Sequence, residues 1–196
     1  MIINYNMLKF ITILYNNEIE ICNLFSSIKD HFTKFELIVS LNSKPSYKIF
    51  DKRVKYLGNE KNIGFGNAVN RALYMISDED LVCIVNSDVK FKYVDFKKIY
   101  NLLQKNFLIG PACYNKKHER QDTFRKNISL IGIIKRIHQR LLLKNNSSLA
   151  YEYSYYKNVQ VDWLIGAVMF IKGNHFIKLC GFDRHYFMYL EDSDFC

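Results

Sequence analysis

A chain of 196 residues, 49% hydrophobic and 24% charged, suits one globular domain with a single large core. Two prolines and eight glycines exclude a flexible linker or low-complexity tract, and no internal repeat is visible. The formal net charge of +9 favours an anionic partner: nucleic acid, a phosphorylated substrate or an acidic membrane surface.

The five cysteines, at 22, 83, 113, 180 and 196, are odd in number and lack Cys-x-x-Cys spacing. Most fall in apolar stretches, which reads as small core residues in a reducing compartment rather than as disulfides or a metal site. The opening "MIINYNMLKFITILYNNEIE" lacks a basic start and is broken by Asn, so no signal peptide is read. No run approaches the ~20 apolar residues of a membrane span. These features favour the cytoplasm.

In chain order, "KFITILYN" is a short β-branched run and predicts a buried strand. Residues Ile19 to Phe32 place Ile21, Leu24, Phe25 and Ile28 at helical spacing. "FELIVS" and the shorter "RVKYLG" predict strands, "NAVNRALYMI" a helix, and "DLVCIV" a strand buried on both faces. "YVDFKKIYNLLQK" predicts another helix and "FLIGPA" another strand. Strands alternating with helices argue for an α/β domain, a mostly parallel sheet with helices on both faces. Such sheets bind ligands at the carboxyl ends of their strands, which directs attention to "YNNE", "LNSK" and "NSDV".

The segment Asn115 to Asn146 breaks the alternation, with nine Lys or Arg against two acidic residues. Between Leu130 and Leu143 its apolar residues are interleaved with Lys135, Arg136 and Arg140. That pattern fits an interfacial helix with snorkelling cations, or a core helix with a solvated basic face. Aromatics for base stacking are missing there, so nucleic acid is the weakest reading. Beyond it, "VQVDWLIGAVMFIKG" reads as strand, and "NHFIKLCGFD" as a short helix closed by Gly181.

Four stretches are candidates for chemistry. Asp88 in "NSDV" follows the most hydrophobic strand and could hold Mg²⁺ or Mn²⁺, or could simply start a turn. Gly64 and Gly66 precede a helix, where the backbone can approach a ligand closely; a plain helix-entry loop is the alternative. The basic segment is the third. The fourth is the acidic tail, Glu191, Asp192 and Asp194. A helix opening at Glu191 would place Glu191 and Asp194 on one face and Asp192 elsewhere. The three carboxylates either complement the helix dipole or raise one another's pKa towards that of a general base.

Taken together and in order, "TILYN", "IVSLNS", "NIGFGNAVN", "VNSDV" and "VDWLIGAVMFIKGNHFIKLCGFDRHYFMYLEDSDFC" resemble the inverting family-2 glycosyltransferases of GT-A fold. The nearest look is to bacterial rhamnosyltransferases of O-antigen and cell-wall assembly. The resemblance covers nearly the whole chain and is most specific over Trp163 to Cys196. It implies donor contacts at Tyr15, Asn16, Asn42, Asn62, Gly64, Asn70 and Asp88, with a divalent cation, Mg²⁺ or Mn²⁺, on Asp88. It also implies an acceptor side at Trp163, Gly166 and Ala167, and a catalytic base at Asp192 with Glu191 beside it.

The implied reaction transfers a sugar, L-rhamnose from dTDP-L-rhamnose, to a lipid-linked saccharide in lipopolysaccharide O-antigen synthesis. The implied setting is the cytoplasmic face of the bacterial inner membrane, with peripheral contact to its anionic surface. The nucleotide part would span about 1–112, the basic insertion about 115–146 and the acceptor part about 159–196. Two departures from the pattern stand out. Leu41 replaces the Asp that normally precedes the Asn of the second loop and reads the nucleobase. The family pattern also continues past the final Cys, so the resemblance implies a chain incomplete on its C-terminal side. A truncated, inactive remnant or a nucleotide-binding subunit is the alternative to an active transferase.

Overall fold

The computed structural model describes residues 6–121, 123–125 and 158–196. The expected first half is found nearly as read. Strand β1 spans Leu8–Leu14, helix α1 Glu18–His31, β2 Phe35–Leu41 and β3 Val54–Leu57. Helix α2 spans Phe65–Asn70, β4 Leu81–Val85 and α3 Phe96–Leu103. The strands run β5 Leu108–Ile109, β6 Phe124–Arg125, β7 Trp163–Leu164 and β8 Val168–Lys172, followed by α4 Gly173–Lys178 and α5 Glu191–Phe195.

Six of these strands form one sheet in the order β3-β2-β1-β4-β8-β5. Strands β1, β2, β3 and β4 are parallel, and β8 joins antiparallel to both β4 and β5. The period of two in the strands sorts side chains between two apolar layers. Leu8, Phe10, Leu14, Leu81, Cys83 and Phe170 pack with Leu24, Phe25 and Ile28 of α1 on one face. Ile11, Val82, Ile84 and Met169 pack with Val69 of α2 and Phe176 of α4 on the other. Each such side chain, fully buried, contributes about 1.5–3 kcal/mol. Both faces are thus covered, as the continuous apolar reading of "DLVCIV" requires.

Four local expectations are corrected. "NAVNRALYMI" is not one helix: α2 stops at Asn70 and a separate 3₁₀ turn covers Leu73–Met75. The side chains of Asn70 and Arg71 reach away to distant backbone, and Ala72 N–H bonds Val69 O in a tightened turn. "FLIGPA" contributes only the two-residue β5, because it pairs with β8 over Leu108 and Ile109 alone. "VQVDWLIGAVMFIKG" divides between β7, paired with β6, and β8 in the main sheet. Of the five cysteines, all free, only Cys83 is buried; Cys180 sits in the exposed turn after α4, and Cys196 is exposed. That turn closes with Cys180 at φ 59° and Gly181 at φ 73°, and Gly181 N–H bonds Phe176 O.

The interfacial helix expected over Leu130–Leu143 lies outside the described residues. Among the described residues no helix is long and apolar enough to cross a membrane.

Candidate functional site

The chain passes from β1 to β2 and β3 on one side, then returns to place β4 on the other side of β1. The crevice of an open α/β sheet lies at such a reversal, outside the carboxyl ends of the strands, here β1 and β4. Because β8 is antiparallel, with Val168 opposite Val85, the residues just before β8 reach the same rim.

Hydrogen bonds tie these segments together across the reversal. Asn17, after β1, donates from Nδ2 to Ile13 O at 3.2 Å and to Ser87 Oγ, after β4, at 2.6 Å. Its Oδ1 accepts from Tyr15 N–H at 2.7 Å. Asn16 holds a left-handed φ of 57° and donates its N–H to Ser43 Oγ, after β2, at 2.9 Å. The Tyr15 ring is left 54% exposed on the rim.

Asp88 is exposed two residues beyond the exposed Asn86, and no hydrogen bond or ion pair among the described residues engages its carboxylate. It lies near Cys113, whose thiol is pushed up first by burial and then by the Asp88 charge. No group of three His, Cys, Asp or Glu side chains able to hold a metal occurs among the described residues. One open carboxylate at a strand end still fits Mg²⁺ or Mn²⁺, which take one or two carboxylates and complete their shell with water and phosphate.

The rim continues into the C-terminal segment. Asn86 N–H bonds Ala167 O at 2.9 Å, and Gly166 N–H bonds Asp192 Oδ2 at 3.1 Å. Asp192 Oδ1 accepts from Ser193 N–H at 2.8 Å. Asp88, Ala167, Gly166 and Asp192 therefore sit on one connected rim. Trp163 lies in β7 and is buried, 8% exposed.

The tail carboxylates separate by environment. A helix does open at Glu191, which puts Glu191 and Asp194 three residues apart on it, but Glu191 is buried, 7% exposed, while Asp194 is exposed. Burial raises the Glu191 carboxyl, and the neighbouring Asp192 charge adds to this. Its Oε2 is buried with no hydrogen-bond partner among the described residues. The group with the raised pKa is thus Glu191, and desolvation outranks repulsion as its cause.

Asn42, Asn62 and Gly64 form a second network, and Asn70 makes a separate pair with the C-terminal segment. Asn42 Nδ2 donates to Asn62 Oδ1 at 3.2 Å and to Gly64 O at 3.1 Å; Asn62 Oδ1 also accepts from Gly64 N–H. Asn70 pairs both ways with the Phe182 backbone, at 2.7 and 2.8 Å. Phe65 N–H bonds Phe187 O at 3.0 Å, fastening α2 to the segment that precedes α5. There Tyr189 and Leu190 both hold φ near 70°, a conformation costing about 1–2 kcal/mol for each non-glycine residue.

Sequence reasoning missed Arg71. Its guanidinium donates to Leu41 O, Asn42 Oδ1, Asn59 Oδ1 and Lys61 O, joining the ends of β2 and β3. Leu41, in place of the usual Asp, is 4% exposed and packs in the core. An Arg one residue beyond the Asn of "NAVNRA" was the only local signal for this role.

Comparison with known proteins identifies the family. The sequence profile of Glycosyl transferase family 2 matches residues 10–164. Rhamnosyltransferase WbbL of Escherichia coli (strain K12) is 26% identical over 140 residues, 68% of this chain and 53% of that protein. The N-acetylglucosaminyl-diphospho-decaprenol L-rhamnosyltransferase of Mycobacterium tuberculosis (strain CDC 1551 / Oshkosh) is 25% identical over 157 residues, 72% of this chain and 51% of that one. The chain spans about half the length of the curated relatives it matches. On a profile match that runs from β1 to β7, the chain belongs to glycosyl transferase family 2, and its mostly parallel six-stranded sheet is the family's GT-A fold.

Proposed function

We propose that the chain is the donor-binding and catalytic part of an inverting glycosyltransferase. Its reaction would move L-rhamnose from dTDP-L-rhamnose to a lipid-linked saccharide during bacterial surface polysaccharide (O-antigen) synthesis. The observation that carries this reading is the connected rim at the β1/β4 reversal, in which Asn17 bonds Ser87, the adjacent Asn86 bonds Ala167, and the adjacent Gly166 bonds Asp192. The rhamnosyl donor and the lipid-linked acceptor are taken from the two relatives and from the sequence resemblance.

On this reading Asp192 takes the proton of an acceptor hydroxyl as that oxygen attacks the anomeric carbon. The bond from the anomeric carbon to the diphosphate breaks, and its electron pair leaves with the nucleoside diphosphate. Asp88 would hold a divalent cation, whose charge offsets the one growing on the leaving diphosphate. Gly166 N–H orients Asp192 Oδ2, which leaves the carboxylate fixed in place. Glu191 beside it is buried, and that burial raises its carboxyl.

Tyr15 and Asn16 form the wall on the nucleobase side. Asn42, Asn62, Gly64 and Asn70 shape the loops over the donor. Leu41, packed inward, leaves base recognition to other groups on this rim. Residues about 1–112 serve the donor and about 159–196 the acceptor. The net charge of +9 and the basic residues between 115 and 146 support peripheral contact with the anionic cytoplasmic face of the inner membrane.

The test is thermal unfolding with dTDP, UDP and GDP, each with and without Mg²⁺ or Mn²⁺, followed by a transfer assay with the nucleotide that responds. A ligand at ~100 times its dissociation constant adds about 2.7 kcal/mol. For a domain of this size that raises Tm by roughly 5–11 °C. The expected response is to dTDP with metal, lost in Asp88→Ala. No rise with any nucleotide would overturn the reading, and a rise without transfer would reduce the chain to a nucleotide-binding remnant or subunit.

A further inference from the structure

Beside the loops that follow β2 and β3 lies a second cleft, of about 530 Å³. Its wall includes Asn59 and Lys61 from the loop after β3, Asn70 and Arg71 at the end of α2, Tyr74, and Arg184 from the C-terminal segment. Of the residues assigned to the donor side only Asn70 lines it, and its amide is already paired with the Phe182 backbone; none of Tyr15, Asn16, Asp88, Gly166 or Asp192 does. The wall thus carries three cationic side chains and no carboxylate.

The acids closest in sequence do not neutralise it. Asp183 Oδ1 is taken by His185, through its N–H at 2.8 Å and its Nδ1 at 2.7 Å. Glu60 adopts a φ of 65° between Asn59 and Lys61 and is not part of the wall. Among the described residues no ion pair reaches Lys61, Arg71 or Arg184. The acceptors that fix Arg71 are the side-chain amide oxygens of Asn42 and Asn59, the backbone carbonyls of Leu41 and Lys61 and the Ser40 hydroxyl, all neutral, so they orient its charge without cancelling it.

Cations gathered in one concavity repel each other, and an anion seated among them removes that repulsion. Phosphate oxygens accept the forked donors of Arg and the point charge of Lys. Tyr74, 76% exposed, adds a ring face at the wall for the remainder of such a ligand.

We propose that this cleft binds a phosphate or diphosphate ester at a site separate from the donor crevice. The inference does not depend on the identity of the donor sugar. The ester could be a soluble metabolite or the head of a lipid, and the two sources are separated by experiment.

In the first arm, inorganic pyrophosphate is titrated calorimetrically into the chain in EDTA, so that metal-dependent binding at Asp88 is silent. In the second, the chain is sedimented with phosphatidylcholine vesicles with and without phosphatidic acid. Each arm is repeated with the K61Q/R184Q double variant and with Asp88→Ala. Lys61 and Arg184 are exposed, so the double variant should melt with the wild type.

The expected result is saturable pyrophosphate binding that weakens about tenfold or more in K61Q/R184Q and is unchanged in Asp88→Ala. If only the vesicle arm responds to K61Q/R184Q, the site is still supported and its source is a lipid headgroup. Pyrophosphate binding that falls in Asp88→Ala would put the anion in the donor crevice and overturn the proposal. Absence of both kinds of binding, or indifference of both to K61Q/R184Q, would overturn it equally.

Discussion

Gly64→Ala separates two reasons for a glycine at the entry to α2. The residue holds φ 85° and ψ 179°, a region populated essentially by glycine and worth about 1–3 kcal/mol against any other residue. An added Cβ would stand 1.9 Å from Phe187 O and 2.7 Å from its carbonyl carbon. The peptide cannot turn away, because Asn62 accepts from its N–H and Asn42 donates to its carbonyl. Phe187 must move instead, and its bond from Phe65 N–H, worth about 0.5–1.5 kcal/mol, is lost. Together these terms predict a destabilisation of ~2–4 kcal/mol, or a Tm lowered by roughly 5–15 °C. Urea denaturation and thermal melting of the unliganded chain measure it. If Gly64 served only to let a ligand approach, the variant would keep its stability and lose nucleotide binding alone. A change below about 0.5 kcal/mol would refute the clamp between α2 and the segment before α5.

Asp192→Asn keeps an oxygen for Gly166 N–H and removes the base. Transfer should fall by at least ~100-fold while the nucleotide-induced Tm rise persists, and full activity would displace Asp192 from its role. The raised pKa of Glu191 means that the folded chain holds a proton the unfolded chain releases. That contribution to stability is complete below the unfolded carboxyl value and is lost as pH rises through the higher folded value. Glu191→Gln should flatten stability against pH in the window above pH ~4.5, and melts from pH 4 to 8 that retain the wild-type slope would count against it. At the opposite end of the sheet, Lys9 Nζ lies 3.3 Å from Asp80 Oδ2 and 3.6 Å from Glu36 Oε2, and the Asp80 side chain is fully buried. Lys9→Met leaves that carboxylate without its counter-charge and should destabilise by about 3–5 kcal/mol in urea, whereas a neutral result would show the pair to be dispensable.

The sequence by itself determined the architecture and pointed to the loops of the candidate rim. Strands β1, β2 and β4 alternate or saturate with apolar residues because their faces meet two packed layers, and that periodicity is written locally. The carboxyl-end loops and the acidic tail stood out for the same reason: each is a short polar interruption of an apolar pattern. What the tertiary structure decided was which partner each polar group takes. Asn70 looks like a donor contact in one dimension, yet its amide meets the Phe182 backbone 112 residues away. Asn17 finds Ser87 across 70 residues and so joins two loops at the strand-order reversal. Arg71 had no periodicity to mark it, and its role appears only once β2 and β3 lie side by side. Glu191 and Asp192 are adjacent carboxylates in the sequence. The fold buries one against α2 and turns the other to Gly166, and desolvation, which depends on the surrounding atoms and not on the neighbouring residue, gives them different chemistry.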